Sequence, residues 1–322
     1  MISLLPWISF IVFILLMLAL DLGVLHRKAH AISVREALGW TACWISLALA
    51  FNVGVYFMYE HHWFGIGLEI GHPIAGSQAA LEFLTAYLVE ESLSLDNIFL
   101  IALILSYYGV PPMYQHRVLF WGILGALVLR AIMIACGIVL IRKFEWITYV
   151  FGAFLLATAV KLFFSGHEKI EPEKNLFIRL ARRFYPVTSH FEGERFFTRM
   201  NGKRAITPMF LVLLLIESTD VMFAVDSIPA VFAVTLDPFL VFTSNVFAIL
   251  GLRSLYFAIA GLLGRFRYFK ISLVILLAFV GLKMLLAHHY PIPTLLSLGI
   301  ICTILATGVM ASLWVMKDDE KH

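Results

Sequence analysis

Long apolar runs that enclose carboxylates constrain this chain more than any other feature. The stretch ESTDVMFAVDSIP, Glu217 to Pro229, puts three acids inside an apolar run that extends from Met209 to Thr235. Runs of similar length recur, each near the twenty residues that a helix needs to cross about 30 Å of hydrocarbon. Nine can be drawn, at about 4–24, 38–59, 80–108, 117–141, 146–164, 206–234, 239–262, 269–288 and 294–316. With 61% hydrophobic and 14% charged residues, the chain has more apolar surface than a soluble interior of its size hides. Short alternating segments of the barrel kind are absent. The pattern predicts an all-α, polytopic transmembrane helical bundle forming one integral membrane domain over residues 1–322.

The basic residues set the expected topology. Eighteen Lys and Arg fall on one side of the nine spans, nine of them between Lys169 and Arg204, and only Arg142 and Lys143 fall on the other. The positive-inside bias then places the N-terminus outside and the C-terminus in the cytoplasm. Ser165–Ala205 becomes a polar cytoplasmic loop, the natural docking element for protein partners. Its basic residues could suggest nucleic acid or anionic lipid, but read first as the charge of a cytoplasmic loop. The first run lacks a basic leader and a cleavage site, so it reads as a retained helix. Cys43, Cys136 and Cys302 stand singly in apolar runs, without metal or disulfide spacing.

A weak internal duplication runs through the spans. EESLSLDNI (Glu90–Ile98) aligns with DVMFAVDSI (Asp220–Ile228), matching Glu90 to Asp220, Asp96 to Asp226 and Asn97 to Ser227. Two spans later AVKLFFSGH aligns with GLKMLLAHH, matching Lys161 to Lys283, and Arg130 and Arg253 lie in the middle span of each trio. The topology makes spans 3–5 (80–164) and 6–8 (206–288) antiparallel, a 3+3 inverted repeat of the kind found in secondary transporters.

Acids in a bilayer interior are costly and mark functional sites by default. The candidate metal ligands are Glu90, Asp96, Asp220 and Asp226, with Glu217 and Asn97 contributing. Oxygen donors suit a hard divalent cation such as Mn²⁺, Mg²⁺ or Ca²⁺, and ligand type does not choose among them. Asp96 and Asp226 sit about 120° round from the first acid of their helix, so a regular helix would not aim all four at one point. Pro229 is expected to break the sixth span and expose the Val225 carbonyl beside Asp226. Arg130, Arg253, Lys161 and Lys283 would be counter-charges that hold the empty site neutral. Asp21, near the cytoplasmic end of the first run, is a helix-end or gating residue. Pairing of these bases with the acids as mere helix packing accounts for four charges, while the two spans carry seven acids. Proton antiport is the coupling that crowded carboxylates suggest. No P-loop is present to support ATP-driven pumping, and neither enzyme activity nor a prosthetic group is expected.

The motifs EESLSLDN, ESTDVMFAVDSIPA and SNVFAILGLRSLYF resemble the TerC family of integral membrane proteins, and within it the Alx type. The likeness continues through LDLGVLHRKAHAISVREAL, FGAFLLATAVKLF and NGKRAITPMFLVLLLIE. It implies a multi-pass inner-membrane protein of metal homeostasis and, for this type, manganese export. The family's acids map onto Glu90, Asp96, Glu217, Asp220 and Asp226. Glu91 departs from the pattern, where a basic or neutral residue is expected. The resulting expectation is a manganese exporter with the metal as transported substrate. The alternatives are a calcium or other divalent cation transporter, and a metal-homeostasis scaffold that docks proteins through 165–205.

Overall fold

The computed structural model describes residues 4–20, 33–68, 73–164, 175–200, 202–259, 269–287 and 289–319. Helices fill each of the nine expected segments: α1 (Leu5–Leu20), α2 (Val34–Glu60), α3 (Gly76–Tyr107), α4 (Pro112–Lys143), α5 (Ile147–Phe164), α7 (Pro208–Phe232), α8 (Pro238–Ile259), α9 (Phe269–Leu286) and α10 (Thr294–Asp319). Between α5 and α7 come a short helix, α6 (Leu176–Phe184), and the antiparallel strands β1 (Phe197–Met200) and β2 (Lys203–Ile206). Among the described residues α2, α4, α5, α7, α8 and α10 are long and apolar enough to cross a membrane by length and composition. The protein is an all-α polytopic membrane protein. Asp21 lies outside the described residues.

Local chemistry accounts for the helix boundaries. At the end of α3, Gly109 takes a left-handed φ of +61°. The N–H groups of Gly109 and Val110 then reach back to the carbonyls of Ser106 and Leu105 at 3.0 Å each. This closes the last turn in the way only a residue without a Cβ does cheaply. Pro111 and Pro112 follow, and Pro112 opens α4 at the first turn, where its missing N–H costs nothing. Pro238 opens α8 in the same manner behind Asp237, whose carboxylate accepts from the N–H groups of Phe239 (2.9 Å) and Leu240 (3.1 Å).

Pro229 does not behave as expected. Helix α7 runs unbroken from Pro208 to Phe232 with Pro229 inside it. The proline falls in the final turn, where a lost hydrogen bond disturbs little that follows.

The bundle is organised round α3 and α7. Helix α3 packs on α7 and α8, α4 packs on α7 and α8, and α5 packs on α9; α2 covers α3 and α8, and α10 covers α9 and α3. Helix α3 joins three apolar clusters. It gives Phe83 and Tyr87 to the first, Ala86, Val89 and Leu93 to the second, and Ile98 and Ile101 to the third. At the α5–α9 seam Gly152 and Gly281 face each other, and a Cβ on either would stand 3.0 Å from the other's carbonyl oxygen. Glycine at both positions lets the two backbones touch.

Candidate functional site

Residues seven apart lie on nearly one helical face. On α3 this aligns Glu90 with Asn97, and on α7 it aligns Asp220 with Ser227. Between the two helices the pairs cross over. Asn97 Nδ2 donates to Asp220 Oδ1 at 3.2 Å, and Ser227 Oγ donates to Glu90 Oε1 at 3.3 Å. The later residue of each helix thus serves the acid of the other.

Arg130 of α4 ties the arrangement together, with 2% of its surface exposed. Its guanidinium grips Asp220 in a fork, Nη2 to Oδ1 at 3.0 Å and Nε to Oδ2 at 3.3 Å. Its Nη1 donates to Glu90 Oε1, and also reaches Ser227 Oγ at 3.4 Å and Asn245 Oδ1 of α8 at 3.3 Å. Glu90 and Asp220 are 0% and 5% exposed. One cation therefore stands between two carboxylates in a setting where an unpaired charge costs several kcal/mol. Glu90 Oε2 and Asn97 Oδ1 are buried oxygens that receive no hydrogen bond from the described residues. Asn97, Arg130, Asp220 and Arg253 supply the polar lining of a cavity of about 20 Å³, with an apolar wall that includes Ile101, Leu119 and Leu252. That volume holds roughly one water-sized species.

The remaining expected ligands are not gathered here. Asp226 faces α5, where Thr158 Oγ1 donates to it at 3.0 Å and Lys161 is its electrostatic partner. Asp96 is half-buried on α3 and stands outside the hydrogen bonds that Arg130 makes. The carboxylate of Glu217 packs against Gly125 of α4, in the space that any side chain at Gly125 would need. Glu91 faces Gly251 of α8, where an added Cβ would lie 3.6 Å from its carboxylate. The sequence expectation grouped Lys283 with the counter-charges of the site, but its electrostatic partner is Glu82. Glu82 is bonded by Gln78 at 2.8 Å and is also close to Thr235 and Asp237. Among the described residues no three His, Cys, Asp or Glu side chains converge as they would round a metal ion.

Sequence reasoning missed Asn245 and Thr158. Asn245 had a signal, being a buried amide in an apolar run eight residues before Arg253. Thr158 had none, because a threonine returning its hydroxyl to its own helix looks the same in sequence.

A bundle with a buried arginine shared by two carboxylates defines a polytopic helical membrane protein with a charged centre in its interior. The description "Integral membrane protein TerC family" matches residues 75–320, and the chain belongs to that family. Among its relatives, "Uncharacterized membrane protein STKORF319" of Myxococcus xanthus is 50% identical over 307 residues, covering 95% of this chain and 91% of the relative. "Putative membrane-bound redox modulator Alx" of Salmonella typhi is 45% identical over 98% of this chain and 96% of its own length. The Escherichia coli K12 protein of the same name is also 45% identical, over 98% and 96%. No solved structure matches the chain.

Proposed function

We propose that this protein is a secondary transporter that exports divalent metal cations, manganese foremost, across the inner membrane. The site in this reading is formed by Glu90, Asp220 and Asn97 round Arg130. Arg130 there takes the place of the cargo and keeps the carboxylates neutralised. An incoming cation would displace the guanidinium and take oxygens from both acids, including Glu90 Oε2 and Asn97 Oδ1. Asp96, Asp226 and Glu217 would complete the shell only after α3 and α7 shift. Protons released and taken up by the acids are the proposed counter-flow.

The carrying observation is the crossed pair of hydrogen bonds, Asn97 to Asp220 and Ser227 to Glu90. It supports two inverted trios, α3–α5 and α7–α9, related by a two-fold axis at the site. The helix pairings support the same relation: exchanging the trios turns the α3–α8 contact into α7–α4 and leaves α3–α7 and α5–α9 unchanged. The name of the Salmonella typhi and Escherichia coli relatives speaks of redox modulation. In this chain Cys43, Cys136 and Cys302 are free and on separate helices. A redox effect would therefore follow from the metal carried and not from paired thiols.

The test is Mn²⁺ flux in proteoliposomes under an imposed pH gradient. Wild type is expected to move Mn²⁺. Glu90→Gln and Asp220→Asn, which keep shape and remove charge, are each expected to lower the rate at least tenfold. Unchanged flux in both variants would reject the site, and a preference for Ca²⁺ in competition would reject the assignment of manganese.

A further inference from the structure

The segment LFIRLARRF between α5 and α7 is pinned at both ends. At its start Asn175 accepts from the N–H groups of Phe177 (3.0 Å) and Ile178 (3.2 Å), while its amide donates to Ser218 Oγ at 2.7 Å. Past its end, Ile206 N–H donates to Pro186 O at 2.9 Å and Thr188 N–H to Ile206 O at 3.0 Å. Ser218 is the eleventh residue of α7, and Ile206 lies just before its start. Helix α6 therefore runs antiparallel beside the first half of α7, and its beginning is roughly 15 Å along a helix long enough to cross the membrane. Only Ile178 turns fully inward, at 0% exposure.

The rest of α6 divides into two adjacent arcs. Leu176, Phe177, Leu180 and Phe184 are exposed and fall within about 100° of one another, at 100° per residue. Arg179, Arg182 and Arg183, all exposed, occupy the arc beside them. The hairpin that follows adds exposed Lys203 and Arg204, and its Phe197 packs on Phe210 of α7 with ring centroids 4.7 Å apart. An apolar stripe at the depth of the hydrocarbon meets lipid and not a water-borne partner. A basic stripe next to it complements phosphate headgroups.

We propose that α6, with this hairpin, is a binding surface for an anionic phospholipid. Acyl chains lie along Leu176, Phe177, Leu180 and Phe184, and the phosphate is held by Arg179, Arg182 and Arg183. The bilayer at large is the solvent of this protein; this surface selects one headgroup charge from it. The proposal is independent of what the protein transports.

The experiment compares the full-length protein with the triple variant R179Q/R182Q/R183Q in mild detergent. Phosphatidylglycerol or phosphatidylcholine is added, and retained lipid is counted by native mass spectrometry. Wild type is expected to retain phosphatidylglycerol at least fivefold over phosphatidylcholine, and the variant to lose that preference. Equal retention of the two lipids by wild type, or an unaltered preference in the variant, would overturn the proposal. So would a co-purified protein that covers α6 in place of lipid. Should the variant fail to fold, a salt series on wild type decides: the preference must fall as ionic strength rises, and a salt-independent preference overturns it.

Discussion

Arg130→Met is expected to destabilise the protein by about 3–5 kcal/mol, the cost of breaking a buried ion pair by removing one partner. The substitution leaves Glu90 and Asp220 facing each other with 0% and 5% exposure and no cation between them. It also removes the group that Ser227 and Asn245 help to hold. The measurement is thermal unfolding in detergent. Adding Glu90→Gln and Asp220→Asn to Arg130→Met is expected to restore much of the loss, because a neutral trio of similar shape needs no counter-charge. Arg130→Met unfolding at the wild-type temperature would show that the arginine does not hold the bundle together.

The second large effect lies at the start of α8. Asp237→Ala removes the cap from the Phe239 and Leu240 N–H groups, worth about 1–2 kcal/mol. It also strips the acceptor from the Tyr59 hydroxyl, which donates to Asp237 Oδ1 at 2.8 Å from a fully buried ring. Losing that buried hydrogen bond adds about 0.5–1.5 kcal/mol. The expected total is about 1.5–3.5 kcal/mol, whereas Asp237→Asn keeps an acceptor for all three donors and is expected to stay near wild type. The two also differ in pH dependence. Burial pushes the Asp237 carboxyl above its ordinary 3.8, against the opposing pull of its hydrogen bonds. Ionisation is then harder in the folded protein than in the unfolded one. This group's contribution to stability therefore falls as pH climbs from 3.8 through the raised value. Unfolding curves across that range should show Asp237→Asn gaining on wild type as pH rises, and a loss instead would contradict the burial argument.

The helices were legible because a bilayer demands long unbroken apolar segments. The run at 146–164 became Ile147–Phe164, and that at 269–288 became Phe269–Leu286. Helix α6 was not legible: nine residues with three arginines read as loop, and only docking beside α7 makes them a helix. That Glu90 and Asp220 share one site was legible from the aligned motifs, and Arg130 holds both. Asp226 was misplaced for a reason the helix itself supplies. Six residues past Asp220 is about 240° of turn, which points its carboxylate at Thr158 and not at Arg130. A break at Pro229 would have removed that limit, and α7 has none.

The sharing of Arg130 also bears on how the chain comes into being. Glu90, Asn97 and Arg130 belong to the first trio of helices, and Asp220, Ser227 and Asn245 to the second. Neither trio can complete the charged centre from its own residues, so the first to be synthesised waits in the membrane for the second. Divided between α5 and α6, the chain should yield two pieces that are degraded when made alone and persist when made together. Immunoblots of the separately and jointly expressed halves would read this out.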